Sequence, residues 1–333
     1  MQRLLPASTP ILGAIGSMAV ALGLAGGAAV VAAPLQTAQS WRVQAGTGTV
    51  DNSVATLQFY SSAITIDAGD SVTWNAVGDA HTVSFLSGAP APNPDDPAAQ
   101  APSGGNSYDG TGIVSSGIFF PGPPGGLGPG APPTSYTLTF STPGTYVYDC
   151  LIHPGMEGTV TVQPAGTPYP ETQAQYDAQS VLDSASALGA GVTLANAYQV
   201  TSSANAGGHT TYNVSAGVGN GAAASLAFIP VALTIAPGDT VTWTNTDPVE
   251  PHTVSFAGAD GKLPAETDPA AVMPAGGTTE DGSTFNNSGF LAGPPGSPSN
   301  QPYSLTFPTA GIYNYVCIIH ADLGMKGTIV VTK

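Results

Sequence analysis

One stretch, present twice, constrains this 333-residue chain more than any other. The second copy runs Tyr303-Ser-Leu-Thr-Phe307, a turn at 308–311, then Ile312-Tyr-Asn-Tyr-Val-Cys317, His320, Met325 and Gly327-Thr-Ile-Val-Val331. The first runs Tyr136-Thr-Leu-Thr-Phe140, Pro143-Gly144, Tyr146-Val-Tyr-Asp-Cys150, His153, Met156 and Gly158-Thr-Val-Thr-Val162. Alternating apolar and polar residues on both sides of a tight turn predict a pair of strands, with a third strand after the loop. The loop gathers a thiol, an imidazole and a thioether at a strand end, which is a metal-ligand pattern.

The rest of the chain repeats around these stretches. Tyr212-Asn-Val-Ser-Ala-Gly217 matches Trp41-Arg-Val-Gln-Ala-Gly46, and the segment Ala232 to Trp243 matches Ala63 to Trp74. His252-Thr-Val-Ser-Phe256 repeats His81-Thr-Val-Ser-Phe85. The two long insertions both carry Asp-Pro-Ala-Ala, and later Ser-Gly followed by Gly-Pro-Pro. A unit of roughly 120 residues is therefore duplicated. The units are expected at 41–163 and 210–333. The first insertion, 87–135, is rich in Pro, Gly, Ser and Asn, and is expected to lie beside the loop that holds Cys150. Between the units, 164–209 reads as a linker with one short helix, opened by Pro170 and Glu171 and stopped by Gly189.

Composition narrows the function. Only 8% of residues are charged, and the net charge is −16 with five Lys and Arg. Without a basic patch the chain is not expected to bind nucleic acid. Its acidic surface suits a partner with a basic docking face. Residues 11–33 carry no charge, and 1–40 reads as a secretory signal or as an uncleaved N-terminal anchor attaching the protein to a membrane. Export follows from either, to the periplasm, the cell exterior or the outer face of the cytoplasmic membrane. The two cysteines hold equivalent points of two repeats, which argues against a Cys150–Cys317 disulfide.

The inventory of ligand-type residues is used symmetrically. Each repeat has an early His, a Cys, a late His and a Met, leaving His209 and Met273 unassigned beyond the leader. Taken singly, each is more often a packing or hydrogen-bonded residue than a ligand. Their joint recurrence is not. Two imidazoles and a thiolate with a weak axial thioether describe a blue-copper site, whereas a structural zinc site takes four strong ligands and Met is not one.

The motifs Gly-Asp-(Ser/Thr)-Val-Thr-Trp, His-Thr-Val-Ser-Phe and Pro-Gly-Thr-Tyr-Val-Tyr-Asp-Cys-x-x-His-Pro-Gly-Met resemble the cupredoxins of the plastocyanin/azurin class. The resemblance covers about 41–163 and 210–332. It implies an all-β protein of two tandem Greek-key sandwiches. It also implies one type 1 copper in each, held by His81, Cys150, His153 and Met156, and by His252, Cys317, His320 and Met325. The first loop, with two residues between His and Met, resembles amicyanin; the second, with four, resembles plastocyanin. Where plastocyanins often carry Asn after the early His, this chain has Thr82 and Thr253, whose hydroxyls are candidates to steady the ligand loops.

These readings make the chain an exported electron carrier that exchanges electrons with redox proteins and does no bond chemistry. Two alternatives are weighed. A two-domain copper oxidoreductase needs further histidines for a catalytic copper, and its His beside the type 1 Cys is replaced here by Asp149 and Val316. A copper-handling or storage protein favours Met-rich or His-rich tracts, and Met273 and His209 stand alone.

Overall fold

The alternating segments fold as strands with one apolar face. Val72, Trp74 and Ala76 are buried along Ser71–Ala76 while the residues between them are half-buried. This computed structural model describes residues 37–94, 96–122, 132–205, 207–266 and 268–333. The expected signal or anchor, including 11–33, lies outside these residues apart from 37–40. Among the described residues no helix is long and apolar enough to cross a membrane.

Each unit is a two-sheet sandwich. In the first, Ser40–Gly48 lies between Val54–Tyr60 and Ser71–Ala76, and Ser71–Ala76 pairs onward with Ser135–Phe140. The facing sheet places Glu157–Gln163 between Ala63–Asp67 and Gly144–Asp149, and continues through Ser84–Phe85 to Val114–Ser116. The core between them includes Val43, Trp74, Phe85, Leu138, Tyr148 and Val160. The second unit repeats the register. Val43 pairs with Trp74, and Val214 pairs with Trp243. Trp74 meets Tyr148 edge-on at 5.2 Å between ring centroids, and Trp243 meets Tyr315 at 5.3 Å. Fully burying a side chain such as Phe85 or Phe256 contributes about 1.5–3 kcal/mol. The fold is therefore all-β, two Greek-key sandwiches with a helix between them.

The insertions are more ordered than loops. Asp96 caps a single helical turn, Pro97–Gln100, by accepting from the Ala98 N–H at 2.8 Å. Asp268 does the same for Pro269–Ala271. The repeated Asp-Pro-Ala-Ala is thus a capped turn. Val114–Ser116 and Asn286–Ser288 then add a strand beside Ser84–Phe85 and Ser255–Phe256. Pro102–Ser103 is a strand at the sheet edge, where proline is tolerated.

The linker differs from expectation in three ways. Its helix spans Gln173–Ala197, opened by a capping box between Thr172 and Gln175 rather than at Pro170. It runs through Gly189 because nothing there requires the chain to turn. At Gly191, a Cβ would stand 2.7 Å from Val54 and 2.9 Å from Ala223, so glycine serves close packing on the first unit. Sheet structure also resumes early: Thr201–Ala204 pairs with Thr210–Ala216, so the second unit's sheet begins inside the expected linker.

The two units share a sheet. Ala223–Ser225 of the second unit pairs antiparallel with Val54–Tyr60 of the first, and Ala224 and Leu226 enter the first unit's core. Val249 and Leu323 pack against the same core. All described residues fall in one compact unit.

Candidate metal centres

Sheet pairing delivers the ligand-type residues to one end of each sandwich. Cys150 follows directly on Gly144–Asp149, and the chain then turns back so that its N–H donates to the Met156 carbonyl at 2.9 Å. The Met156 N–H in turn donates to the His153 carbonyl at 3.1 Å. In the second unit Cys317 donates to Met325 and Met325 to His320, both at 3.1 Å. Met156 and Met325 are buried within their unit's core. The early histidines come from the neighbouring segment of the same sheet: His81 precedes Ser84–Phe85 and His252 precedes Ser255–Phe256, which pair with the strands that lead to Cys150 and Cys317. His81 is held by paired backbone hydrogen bonds with Phe119, and His252 by the same pair with Leu291. The insertions therefore do lie beside the sites, and they fix the early histidines.

The resulting geometry is nearly the same twice. In the first unit the His81 and His153 Nδ1 atoms are 3.2 Å apart, and Cys150 Sγ lies 3.9 Å and 3.4 Å from them. In the second, His252, His320 and Cys317 give 3.2, 3.9 and 3.4 Å. All six side chains are buried. A point about 2 Å from all three donors exists in each triangle, which is the range of metal–imidazole and metal–thiolate bonds. The donor set is two imidazoles and one thiolate, as a trigonal copper site requires.

Thr82 and Thr253 fasten this arrangement. The Thr82 N–H donates to Cys150 Sγ at 3.3 Å, and its hydroxyl accepts from the Leu151 N–H at 2.6 Å. The Thr253 N–H donates to Cys317 Sγ at 3.3 Å, and its hydroxyl accepts from the Ile318 N–H at 2.8 Å. One residue thus solvates the sulfur and pins the backbone that follows it.

The sulfurs are primed as thiolates. Burial pushes the Cys317 thiol up, but the His320 charge and hydrogen bonds from His252 and His320 outweigh it and bring the group to about 5. Cys150 is likewise held well below the thiol range, against its burial, by His153 and His81. His153 and His320 are raised despite burial, first by their cysteine partners. Both cysteines are free.

Sequence reasoning missed two further groups. Glu250, fully inside the protein, stands between the late histidines, with Oε2 at 3.1 Å from His153 Nε2 and Oε1 at 3.1 Å from His320 Nε2. Asp79 Oδ2 lies 3.6 Å from His320 Nε2. Burial raises the Glu250 carboxyl, but contacts with His153 and His320 prevail and hold it well below its usual range. Asp79 is raised by burial and by the Glu250 charge. The signal was present: each acid stands two residues before an early histidine, in Asp79-Ala-His81 and Glu250-Pro-His252. His209 is elsewhere, half-exposed beside Asp239.

Comparison with known proteins agrees with this geometry. Residues 213–332 match the family described as copper binding proteins, plastocyanin/azurin family. A chloroplastic plastocyanin of Physcomitrium patens is 36% identical over 108 residues, 32% of this chain; the match spans about half, 52%, of that relative's length. A plastocyanin of Scenedesmus fuscus is 34% identical over 107 residues, 32% of this chain and 88% of its own. The oxidised plastocyanin structure from Dryopteris crassirhizoma aligns over 37% of this chain and 99% of its own, at 25% identity and a TM-score of 0.23. The chain belongs to the plastocyanin/azurin family of copper-binding proteins.

Proposed function

We propose that this protein is an exported electron carrier holding one type 1 copper in each of its two units. Copper would be held by His81, Cys150 and His153, with Met156 as a fourth candidate, and by His252, Cys317 and His320, with Met325 as a fourth candidate. The observation that carries the reading is the duplicated triangle of two Nδ1 atoms and one Sγ, buried and matched in its three distances. Copper bound there supplies a one-electron couple.

The chain's own residues do the rest. The thiolates and imidazoles are fixed by sheet pairing, by the threonine contacts and by the insertions, so little rearrangement accompanies a change of charge. Burial excludes water and further ligands. The different His–Met spacings, two residues against four, would let Met156 and Met325 meet the metal differently, and the two sites would then differ in potential. The leader at 1–40 supports export, with residues 11–33 as a membrane attachment if uncleaved. The net charge of −16 supports redox protein partners with a basic docking face.

The test is a visible and EPR spectrum of the copper-loaded chain. An intense thiolate-to-copper band with two type 1 signals supports the reading. A type 2 copper signal without that band sinks it and returns the chain to copper handling or oxidoreductase chemistry.

A further inference from the structure

An imidazole that binds metal through Nδ1 carries its proton on Nε2, and a buried Nε2–H needs an acceptor. For His153, none of its own unit's carboxylates supplies one among the described residues. The atom at 3.1 Å is Glu250 Oε2, from the other unit. His320 has Glu250 Oε1 at 3.1 Å and, from the first unit, Asp79 Oδ2 at 3.6 Å. Both late histidines are buried, with 3% and 4% of their surface accessible.

We infer that Glu250 is a positioning residue shared by the two copper sites, and that it couples them across the boundary between the units. This rests on the two-copper reading above. One carboxylate offers one oxygen to each imidazole. It fixes the tautomer that leaves both Nδ1 atoms free, and it fixes both ring planes toward their cysteines. Asp79, in the equivalent sequence position of the first unit, is one methylene shorter, and its Oδ2 stops 3.6 Å from His320 Nε2, beyond hydrogen-bond reach. The bridging role between the two late histidines therefore falls to Glu250.

The cluster of Asp79, Glu250 and His320 could be read as a third metal site, since its ligand atoms lie within 4.8 Å of one another. The ring geometry points the other way. His320 Nδ1 is already directed to Cys317 at 3.4 Å, so a metal on Nε2 would require an imidazolate bridge. A proton held between imidazole and carboxylate requires nothing further.

The experiment uses the full chain with one site at a time removed. In Cys317→Ser only the first site remains, and Glu250 belongs to the other unit. Adding Glu250→Ala to that background is expected to weaken copper binding at the first site by about ten- to hundred-fold in a chelator competition. Adding it to Cys150→Ser is expected to do the same at the second. Because an alanine could disturb packing, the isosteric Glu250→Gln is measured beside it. In the copper(I) protein, the slowly exchanging Nε2–H proton of His153 should shift in Glu250→Gln and lose its protection in Glu250→Ala. First-site affinity and a His153 resonance that are both unchanged by Glu250→Ala overturn the inference and leave the two-copper reading standing. Three coppers per chain, with the third lost in Glu250→Ala, overturn it in favour of a bridged metal. A Cys317→Ser parent that binds no copper removes the reading on which it rests, and the inference with it.

Discussion

Gly46 lies so close to His81 that a Cβ on it would stand 2.3 Å from Nε2, and the same backbone sits at φ +71°. Gly217 repeats the relationship with His252, at 2.3 Å and φ +114°. Any side chain here meets both a left-handed backbone, costing about 1–2 kcal/mol, and a ligand ring that must move. Gly46→Ala is therefore expected to lower copper content to one per chain by emptying the first site alone. Gly217→Ala should empty the second. Copper analysis with the absorption spectrum checks both; full loading in Gly46→Ala contradicts the account.

Thr82 and Thr253 give a second pair of variants. Valine keeps the shape but removes the acceptor for the Leu151 or Ile318 N–H. Leaving such a buried donor unpaired costs about 1–3 kcal/mol. Thr82→Val should lower the urea midpoint of the metal-free protein by a corresponding amount and shift the thiolate-to-copper band of the first site. An unchanged midpoint would show that the hydroxyl is incidental.

The pH dependence of copper binding follows from the charges at the second site. In the metal-free protein at neutral pH, Cys317 is ionised, having been brought to about 5, and His320 is protonated. Copper takes a thiolate and a neutral imidazole, so binding expels the His320 proton. Affinity should rise with pH while the His320 proton must be expelled, and that contribution should level off above the raised His320 value. Below about pH 5 Cys317 is protonated as well, and its proton also competes, so affinity should fall more steeply there. Proton release measured in weak buffer at neutral pH on the Cys150→Ser chain should show protons expelled as copper binds; no release would show that His320 is neutral in the metal-free protein.

Two glycines of the linker helix separate propensity from packing. Gly189 faces open space, so Gly189→Ala should stabilise the protein by up to about 1 kcal/mol through helix propensity. Gly191 abuts Val54 and Ala223, so Gly191→Leu should destabilise it by about 1–3 kcal/mol through overpacking, despite leucine's better propensity. Thermal unfolding of the two variants checks the opposite signs.

The strands were legible because alternation and burial coincide: Val72 and Trp74 point inward as their spacing says. The early His, Cys and late His were legible because the pattern occurs twice. The helix end was misread because glycine signals a stop and a close approach with the same letter, and only Val54 and Ala223 decide between them. The shared sheet was hidden because Ala223-Ala224-Ser225 has no alternation to announce a strand. Glu250 was hidden for a different reason. Its position before His252 is visible, but its contact with His153 depends on how two units meet, which no local pattern encodes.

The central claim is that each unit builds its own thiolate–imidazole copper site. The direct measurement is copper per chain, with absorption at the thiolate-to-copper band, in the wild type, Cys150→Ser and Cys317→Ser. The account predicts two coppers in the wild type and one in each variant, with each variant keeping its own share of the band. One copper or none in the wild type, or a Cys150→Ser chain that retains two with the full band, would contradict it.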